Sequence, residues 1–292
     1  MGINATFHDS SACLISDGRL IAAAEEERFT HIKHGKRPIP FSTYELPFHA
    51  IDYCLRVAGL HINDIDNFAY SFDPNILLDD ALELVTLPLH PRQNQGNSLT
   101  DSPWDPLFLS SIVNAPDHLM DGWPHHLQER FIGANIPEKK WHFVNHHLAH
   151  ATSAFHAPPY KNAAVMTIDG RGEKATTSYY IGNENDLTLI NDVRMPHSLG
   201  LLYEKTTTHL GFLHSSDEYK VMALASYGKP EFINEFRSMI HIGEKGNYTI
   251  DDVDFTKRLG PIRRKWDPFT AHHFNIAHSL QAVLEETVLA LA

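Results

Sequence analysis

Two groups of three short strands, each closed by tight turns, constrain the fold of this chain more than any other feature. The first group is predicted at residues 3–8, 11–16 and 19–27, and the second at 163–168, 175–181 and 187–193. Asp17-Gly18 separates two strands of the first group and is a strong hairpin signal. Since helical patterns lie between the two groups, the sequence predicts an α/β fold with a duplicated lobe.

Patterns of apolar residues predict the remaining helices and one further strand. Helices are expected at 45–58, 199–210, 217–226, 230–239 and 276–291, and one more strand at 67–72. Gly59 is the expected stop of the first helix. The acidic run Glu25-Glu26-Glu27 is expected to be a solvated strand end. The proline-rich stretch 75–135 is interpreted as an insertion, whose Trp104 and Trp123 either pack in a core or stack on sugar rings.

Composition excludes several classes of function. The formal net charge of -12 argues against a general binder of nucleic acid or anionic membranes. Cys13 and Cys54 are the only cysteines, which fits a reducing compartment and excludes a thiolate metal site built by this chain alone. No secretory signal and no membrane-length apolar run is found. We therefore expect a soluble cytoplasmic protein without nucleic-acid or membrane partners.

The main candidate for chemistry is a histidine pair with a following aspartate. His146 and His150 are four residues apart in a predicted helix, and Asp169 follows a predicted strand. Residues four apart lie on one helix face and can share a metal ion, to which a carboxylate adds a hard oxygen ligand. His147 is a competitor for His146, because spacing of three residues is also acceptable. In a chain with 21 histidines, a non-metal role for the pair is an alternative.

Two turns are the other candidates. His8, at the end of the first predicted strand, is placed to act as a base on a hydroxyl, since histidine titrates near neutral pH; the alternative is that it only stabilises the hairpin. Gly170 and Gly172 follow Asp169, and glycines let backbone N-H groups approach an anion. A plain hairpin is the alternative at this turn.

Several motifs together resemble one family. They are His8-Asp9-Ser10-Ser11-Ala12, Glu25-Glu26-Glu27-Arg28-Phe29, Asn145-His146-His147-Leu148-Ala149-His150-Ala151, Thr167-Ile168-Asp169-Gly170 and the run from Lys220 to Gly228. This combination resembles the N-terminal part of the O-carbamoyltransferases, which include nodulation and antibiotic-tailoring enzymes. The resemblance extends over nearly the whole chain.

The resemblance implies a fold of the actin and sugar-kinase type, which is ribonuclease H-like and is shared with the tRNA threonylcarbamoyltransferase. Residues 1–292 would then form a carbamoyltransferase N-terminal domain. Its first lobe would comprise 1–74 and 136–160, with 75–135 as the insertion and 161–292 as an incomplete second lobe.

The resemblance also implies a mechanism. Carbamoyl phosphate and ATP would give carbamoyladenylate in a separate YrdC-like domain, and a hydroxyl of a small sugar-like acceptor, such as a nodulation factor, would then take the carbamoyl group. His146, His150 and Asp169 would bind a divalent metal, either iron, manganese or zinc. His8 would be the base, and Gly170 and Gly172 would lie close to the adenylate phosphate.

The chain also departs from the family pattern. A full member continues into a Gly-Gly-rich nucleotide-binding segment, another metal-ligating aspartate and the YrdC-like domain, so we expect a fragment that is inactive alone in carbamoyladenylate formation. Two alternatives stay open: an actin-like ATPase or sugar kinase, and a noncatalytic metal-binding module. Against the kinase, neither hairpin carries the usual Asp-x-Gly-x-Thr phosphate loop.

Overall fold

The computed structural model describes residues 1–6, 8–35, 46–73, 75–76, 130–213 and 215–292. The described residues form two compact units: the first unit comprises those up to 76 together with 130–149, and the second unit comprises 150–292. Most of the predicted insertion, including Trp104 and Trp123, lies outside the described residues. The lobe boundaries inferred from the sequence therefore stay predictions.

A five-stranded sheet organises the first unit. Its strands are β1 (Gly2–Asn4), β2 (Ser11–Ser16), β3 (Arg19–Glu25), β4 (Phe68–Tyr70) and β5 (Trp141–Phe143), in the order β3-β2-β1-β4-β5. The first three strands form the predicted antiparallel meander, whereas β1 pairs with β4 and β4 with β5 in parallel. Both residues of the Asp17-Gly18 turn have positive φ, 49° and 72°, as a tight hairpin requires.

The predicted strand 3–8 is wrong in its second half, because β1 ends at Asn4. The side-chain amide of Asn4 donates hydrogen bonds to the carbonyl oxygens of His8 and Asp9, at 3.1 Å and 3.0 Å. These bonds hold the chain after Asn4 in a turn, so the strand does not continue. A polar side chain thus ends the strand four residues earlier than the pattern of the sequence predicts.

One helix packs against this sheet and contributes to its core. Helix α1 (Glu27–Thr30) is a single turn after β3, and α2 (Phe48–Ala58) follows the segment 31–47. Gly59 ends α2 with a φ of 67°, which confirms the predicted stop. The apolar face of α2 is buried in one core with aromatic side chains of the sheet, among them Phe68, Tyr70 and Trp141.

Glu26 corrects the expectation of a solvated strand end. Its side chain is 3% exposed, and its carboxylate accepts hydrogen bonds from the backbone N-H groups of His49 and Ala50, at 3.2 Å and 2.9 Å. The His49 Nδ1 lies 2.6 Å from the same carboxylate. An acidic group that accepts from the first N-H groups of a helix satisfies unpaired donors and interacts favourably with the helix dipole. Glu26 therefore fixes the start of α2.

A three-stranded meander organises the second unit. Strands β6 (Asn162–Ile168), β7 (Ala175–Asn183) and β8 (Asp186–Arg194) pair antiparallel in sequence order, as predicted. Helix α3 (His146–His156) precedes β6 and crosses from the last residues of the first unit into the second. Helices α4 (Leu199–His209) and α5 (Glu218–Ala225) follow β8, close to their predicted bounds.

The region between α5 and the last helix differs from the prediction. The helix expected at 230–239 is shorter, α6 (Ile233–Arg237), and is followed by a hairpin of β9 (Ile240–Ile242) and β10 (Tyr248–Ile250) that the sequence analysis missed. Helix α7 (Phe255–Leu259) was also missed. All four elements have three to five residues, too few for hydrophobic periodicity to identify them.

The last helix begins earlier than predicted. Helix α8 (Ala271–Leu291) starts five residues before Ile276, and a reciprocal cap between Thr270 and His273 fixes its first turn. Histidine occupies the position where a capping box usually has Glu or Gln, so the start signal was not recognised. None of the helices in the described part of the chain combines the length and apolar character that a membrane crossing requires.

A buried histidine lies at the end of α4 in the second unit. His209 is 4% exposed, and its Nε2 has no hydrogen-bond partner among the described residues. Burial is the main reason that the pKa of His209 is lowered from 6.5 to about 4; positive charge on His272 and His273 contributes to this decrease, and Asp254 opposes it. The neutral ring is therefore the form that the folded unit accommodates.

This burial predicts a pH dependence of stability. Between pH 6.5 and about 4 the unfolded chain binds a proton at His209 that the folded chain does not, so stability decreases as the pH falls through this window. We expect His209→Gln to reduce the slope of unfolding free energy against pH by up to ~1.4 kcal/mol per pH unit, the value for one proton. Urea unfolding across this range measures the slope. His241→Gln, at an exposed site, is the control, and equal slopes for wild type and His209→Gln would contradict the prediction.

Candidate metal centre

Helix α3 carries two of the predicted metal ligands on one face. Asn145 precedes the helix, and its side-chain oxygen accepts a hydrogen bond from the Leu148 N-H at 2.9 Å. This is the bond by which an asparagine caps a helix N-terminus. His146 and His150 then lie about one turn apart, so both side chains project to the same side. The cap therefore fixes the start of the helix, and the four-residue spacing places the two histidines on one face.

Asp169 follows β6 directly and is held by the adjoining hairpin. Its backbone N-H donates to the Thr176 carbonyl oxygen at 2.9 Å, and its Oδ1 accepts from the Gly170 N-H at 2.6 Å. Its Oδ2 lies 3.2 Å from the Nε2 of His150. The carboxylate thus directs one oxygen into its own turn and the other to the helix.

The three predicted ligands come together. His146, His150 and Asp169 each offer one ligand atom, and these atoms all lie within 4.8 Å of one another. Two imidazole nitrogens and one carboxylate oxygen suit iron, manganese or zinc. His147, the competitor at the sequence level, is fully buried and belongs to neither of the two potential ligand groups in the described part of the chain. The residues present therefore fit a divalent transition metal.

The second nitrogen of His146 is held by the first unit. Its Nδ1 lies 3.1 Å from the backbone carbonyl oxygen of Ser71, just after β4. A carbonyl can only accept, so Nδ1 carries the proton and Nε2 is the nitrogen suited to bind a metal. Metal-ligating histidines commonly have such a carbonyl partner, which fixes the tautomer and the ring orientation. The environment of His146 is thus that of a ligand.

The two predicted phosphate-binding glycines lie in a closed turn. The Gly170 N-H donates to the Asp169 side chain, and the Gly172 N-H donates to the Ala175 carbonyl oxygen at 2.7 Å. Both amides are thus engaged within the hairpin. Their approach to a phosphate stays a prediction, and binding an anion there would require the turn to exchange these bonds.

The first turn of α4 packs directly against this hairpin turn. The Ser198 hydroxyl donates to the carbonyl oxygens of Asp169 and Gly170 at 3.2 Å and 2.7 Å, and accepts from the Leu201 N-H at 3.0 Å. At Gly200 a Cβ would lie only 2.5 Å from the Gly170 nitrogen and 2.6 Å from the Asp169 carbonyl group. A residue without a side chain is therefore required for this contact.

This contact predicts the effect of Gly200→Ala. The added methyl group must displace backbone, so we expect a loss of about 1–3 kcal/mol in stability and weaker binding of divalent metal through a displaced Asp169. Denaturant unfolding and calorimetric metal titration measure the two effects. Gly243→Ala is the control, because a Cβ there meets its nearest atom at an ordinary 3.5 Å. Unchanged stability and metal affinity in Gly200→Ala would contradict the assignment.

The structure places His8 in a second cluster, within the first unit. The Nδ1 of His8 lies 2.5 Å from Asp9 Oδ2, and the Nδ1 of His34 lies 3.0 Å from Asp9 Oδ1. The hydrogen bond from His8, more than any other effect, lowers the pKa of the Asp9 carboxyl well below its usual range. Asp9 is therefore an anion between two imidazoles, and about half of the His8 side chain is exposed.

Hydrogen bonds within the first unit connect His146 to the His8 turn. The Ser71 hydroxyl donates to the side-chain oxygen of Asn4 at 2.7 Å, while the amide of Asn4 holds the carbonyl groups of His8 and Asp9. The carbonyl oxygen of the same Ser71 accepts from His146. The ends of β1 and β4 thus position the proposed base and one proposed metal ligand.

Sequence reasoning missed Asp9, His34, Asn4 and Ser71. Asp9 could have been found as the carboxylate next to His8 in the motif. His34 is 25 residues away from Asp9 and belongs to no pattern, and only the fold brings it close. Asn4 holds backbone carbonyl groups of His8 and Asp9, and Ser71 contacts His146 through its own carbonyl group, and contacts with backbone carbonyl groups leave no signature in a sequence.

Comparison with known proteins identifies relatives of the whole chain. Residues 1–292 match the family described as carbamoyltransferase N-terminus. The uncharacterized protein sll1178 of Synechocystis is 34% identical over 309 residues, covering 100% of this chain and 47% of the relative. The nodulation protein NolNO of Sinorhizobium fredii is 33% identical over 293 residues, covering 98% of this chain and 38% of the relative.

A partial match extends the comparison. The nodulation protein NolO of Bradyrhizobium diazoefficiens is 35% identical over 153 residues, covering 50% of this chain and 27% of the relative. The chain thus spans less than half the length of these relatives. Because the family matches every residue from the first to the last, the chain belongs to the carbamoyltransferase N-terminal family.

Proposed function

We propose that this chain provides the acceptor-carbamoylating part of an O-carbamoyltransferase, which transfers a carbamoyl group from carbamoyladenylate to a hydroxyl of a sugar-like acceptor. The observation that carries the proposal is the convergence of His146, His150 and Asp169, in a chain whose relatives include nodulation proteins. A nodulation factor is accordingly the specific acceptor we propose.

The topology supports the proposed fold of the actin and sugar-kinase type. The order β3-β2-β1-β4-β5, with β2 antiparallel to both of its neighbours and the other pairs parallel, is the order expected of a ribonuclease H-like lobe. The second unit opens with the same antiparallel arrangement of three strands, β6-β7-β8. This repetition supports a duplicated lobe, of which the second unit contains the meander.

His146, His150 and Asp169 would hold the metal in the proposed enzyme. When bound, the metal would act as a Lewis acid that neutralises charge on the adenylate phosphate. Asp169 reaches His150 from the end of β6, and Ser198 and Gly200 hold the Asp169 turn against α4. The chain thus fixes the carboxylate from two sides before any ligand binds.

His8 would act as the general base of the transfer. The acceptor oxygen forms a bond to the carbamoyl carbon while its proton passes to the Nε2 of His8. The bond between that carbon and the phosphate oxygen breaks, and AMP leaves with the electron pair. Formation of carbamoyladenylate from carbamoyl phosphate and ATP is assigned in this proposal to a YrdC-like domain outside the 292 residues.

The proposed ligand set predicts the metal-binding behaviour of two variants. We expect His150→Ala and His146→Ala to lower the affinity for Zn²⁺, Mn²⁺ or Fe²⁺ by more than the ~10–100-fold that loss of an outer-shell partner costs. Elemental analysis after dialysis and calorimetric titration measure this. His241→Ala is the control, since this exposed histidine of β9 pairs with a surface carboxylate, Asp251. Wild-type affinity in both ligand variants would overturn the metal centre.

The proposed division of the reaction predicts which step the 292 residues support. Supplied with carbamoyladenylate and oligosaccharide acceptors, the chain should carbamoylate a hydroxyl, and His8→Gln should slow this step by about 10²–10⁴-fold. Supplied with carbamoyl phosphate and ATP, it should show no exchange of pyrophosphate into ATP. Mass spectrometry of the acceptor and the exchange assay measure the two steps. Phosphorylation of the acceptor from ATP would show a kinase instead.

A further inference from the structure

Asp9 binds two imidazoles through its two carboxylate oxygens. The Nδ1 of His8 lies at Oδ2 and the Nδ1 of His34 lies at Oδ1, at 2.5 Å and 3.0 Å. The planes of the two rings are inclined at 67°, and their centroids are 6.0 Å apart. One carboxylate thus joins two histidines that are 26 residues apart in the sequence.

The chemistry of these contacts fixes the tautomer of His8. An ionised carboxylate only accepts hydrogen bonds, so the Nδ1 atoms of both rings must be the donors. A neutral His8 with the proton on Nδ1 has its lone pair on Nε2, and Nε2 is then the basic nitrogen. The hydrogen bond from His8 is also the main reason that the pKa of Asp9 is lowered, which keeps the carboxylate charged at neutral pH.

The backbone around Asp9 is built to hold this arrangement. Asp9 and His34 both have positive φ, 53° and 60°, in the region where Asp, Asn and His are enriched among residues with a side chain. The Asp9 N-H donates to the His34 carbonyl oxygen at 2.9 Å, so the two residues are joined by backbone as well as by side chains. Asn4 holds the carbonyl group of Asp9 from the other side.

His34 is anchored independently of Asp9. Its backbone N-H donates to the Glu27 carboxylate at 2.9 Å, and Glu27 also pairs with Lys33 at 3.8 Å. Its side chain is 18% exposed, much less than that of His8. The groups around the cluster include Asp9, the other imidazole, Glu27 and Lys33, all of which are charged or titratable. Of the two histidines that pair with Asp9, His34 is the anchored one and His8 is the exposed one.

We infer that Asp9 and His34 are positioning residues for His8: the Asp9 carboxylate, held in place by His34, keeps His8 as the Nδ1-protonated tautomer and so presents Nε2 as the base. This inference rests on the proposed function, in which His8 takes the proton of the acceptor hydroxyl. A carboxylate that orients a histidine base is an established device in other enzymes. Here the carboxylate is itself oriented by a second histidine.

The tautomer is measured directly by nuclear magnetic resonance. Long-range ¹H-¹⁵N spectra of histidine-labelled protein at about pH 8.5, well above the usual histidine pKa of ~6.5, distinguish a protonated Nδ1 from a protonated Nε2. We expect His8, assigned with His8→Gln, to be protonated on Nδ1 in the wild type and to shift towards Nε2 protonation in Asp9→Asn. Asparagine tolerates the positive φ of Asp9. An unchanged His8 tautomer in Asp9→Asn would overturn the inference.

His34 offers a matched pair of variants. His34→Gly removes the ring at a positive φ without strain, whereas His34→Asn keeps a side-chain N-H donor close to the position of Nδ1. We expect His34→Gly to shift His8 partly towards Nε2 protonation and His34→Asn to restore the wild-type tautomer. His241→Asn, in an exposed pair with Asp251, is the control and should leave His8 unchanged. Equal effects of His34→Gly and His34→Asn would show that His34 does not act through its donor.

The pH profile of carbamoyl transfer gives a second readout. In Asp9→Asn we expect kcat to fall at least ~10-fold with little change in the acceptor KM, since orientation of the base affects the transition state. Loss of the anion should also move the acidic limb of the profile to lower pH, because a nearby negative charge favours the protonated imidazole. A fall in kcat without movement of this limb would contradict the role assigned to Asp9.

Two further outcomes separate this inference from its rivals. If the wild type binds a second equivalent of Zn²⁺ that Asp9→Asn does not bind, with loss of the Nδ1 proton of His8, the cluster is a metal site and the inference is wrong. If no carbamoyl transfer occurs in the wild type, the proposed function fails, while the tautomer experiment still decides whether Asp9 and His34 orient His8.

Discussion

The side-chain amide of Asn4 is the interaction on which the functional end of the first unit depends. It ends β1, holds the carbonyl groups of His8 and Asp9, and accepts a hydrogen bond from Ser71 at the end of β4. Two neighbouring parallel strands are thereby joined just beyond their last paired residues. The positions of His8 and Asp9 follow from this junction, and Ser71 extends it to His146.

The two units use the same construction for their carboxylates. Asp9 and Asp169 both lie between the first and second strand of a three-stranded meander, and each carboxylate contacts histidine from another part of the chain. In each case the turn is held by a polar side chain that reaches backbone carbonyl groups, Asn4 in the first unit and Ser198 in the second. A repeated lobe would place two different chemical tasks, proton transfer and metal binding, at equivalent turns.

The sequence predicted the structural features that are determined by neighbouring residues in the chain. Asp17-Gly18 and Gly59 have the positive φ values that their turn and cap require. It could not predict elements that depend on distant partners. Glu26 looks like any acidic residue at a strand end, and its burial at the start of α2 exists only once the chain has folded. The short hairpin of β9 and β10 is likewise defined by pairing, not by pattern.

The same distinction holds for the candidate site. His146, His150 and Asp169 could be proposed from sequence because two share a helix face and the third follows a strand of clear pattern. The residues that orient these side chains could not be predicted from the sequence. The role of Ser71 is carried by a backbone carbonyl group, and His34 reaches Asp9 across 25 residues. Ligand types can therefore be read from a sequence more readily than the hydrogen bonds that fix their tautomers.

The buried carboxylate of Glu26 makes the start of α2 depend on the end of β3. Its bonds to His49 and Ala50 join the residue after β3 to the start of α2, while the next residue, Glu27, holds His34. The stretch between His34 and α2 is thus bounded by anchors that do not depend on its own sequence. The two ends of this stretch are therefore fixed by Glu26 and Glu27, two consecutive residues directly after β3.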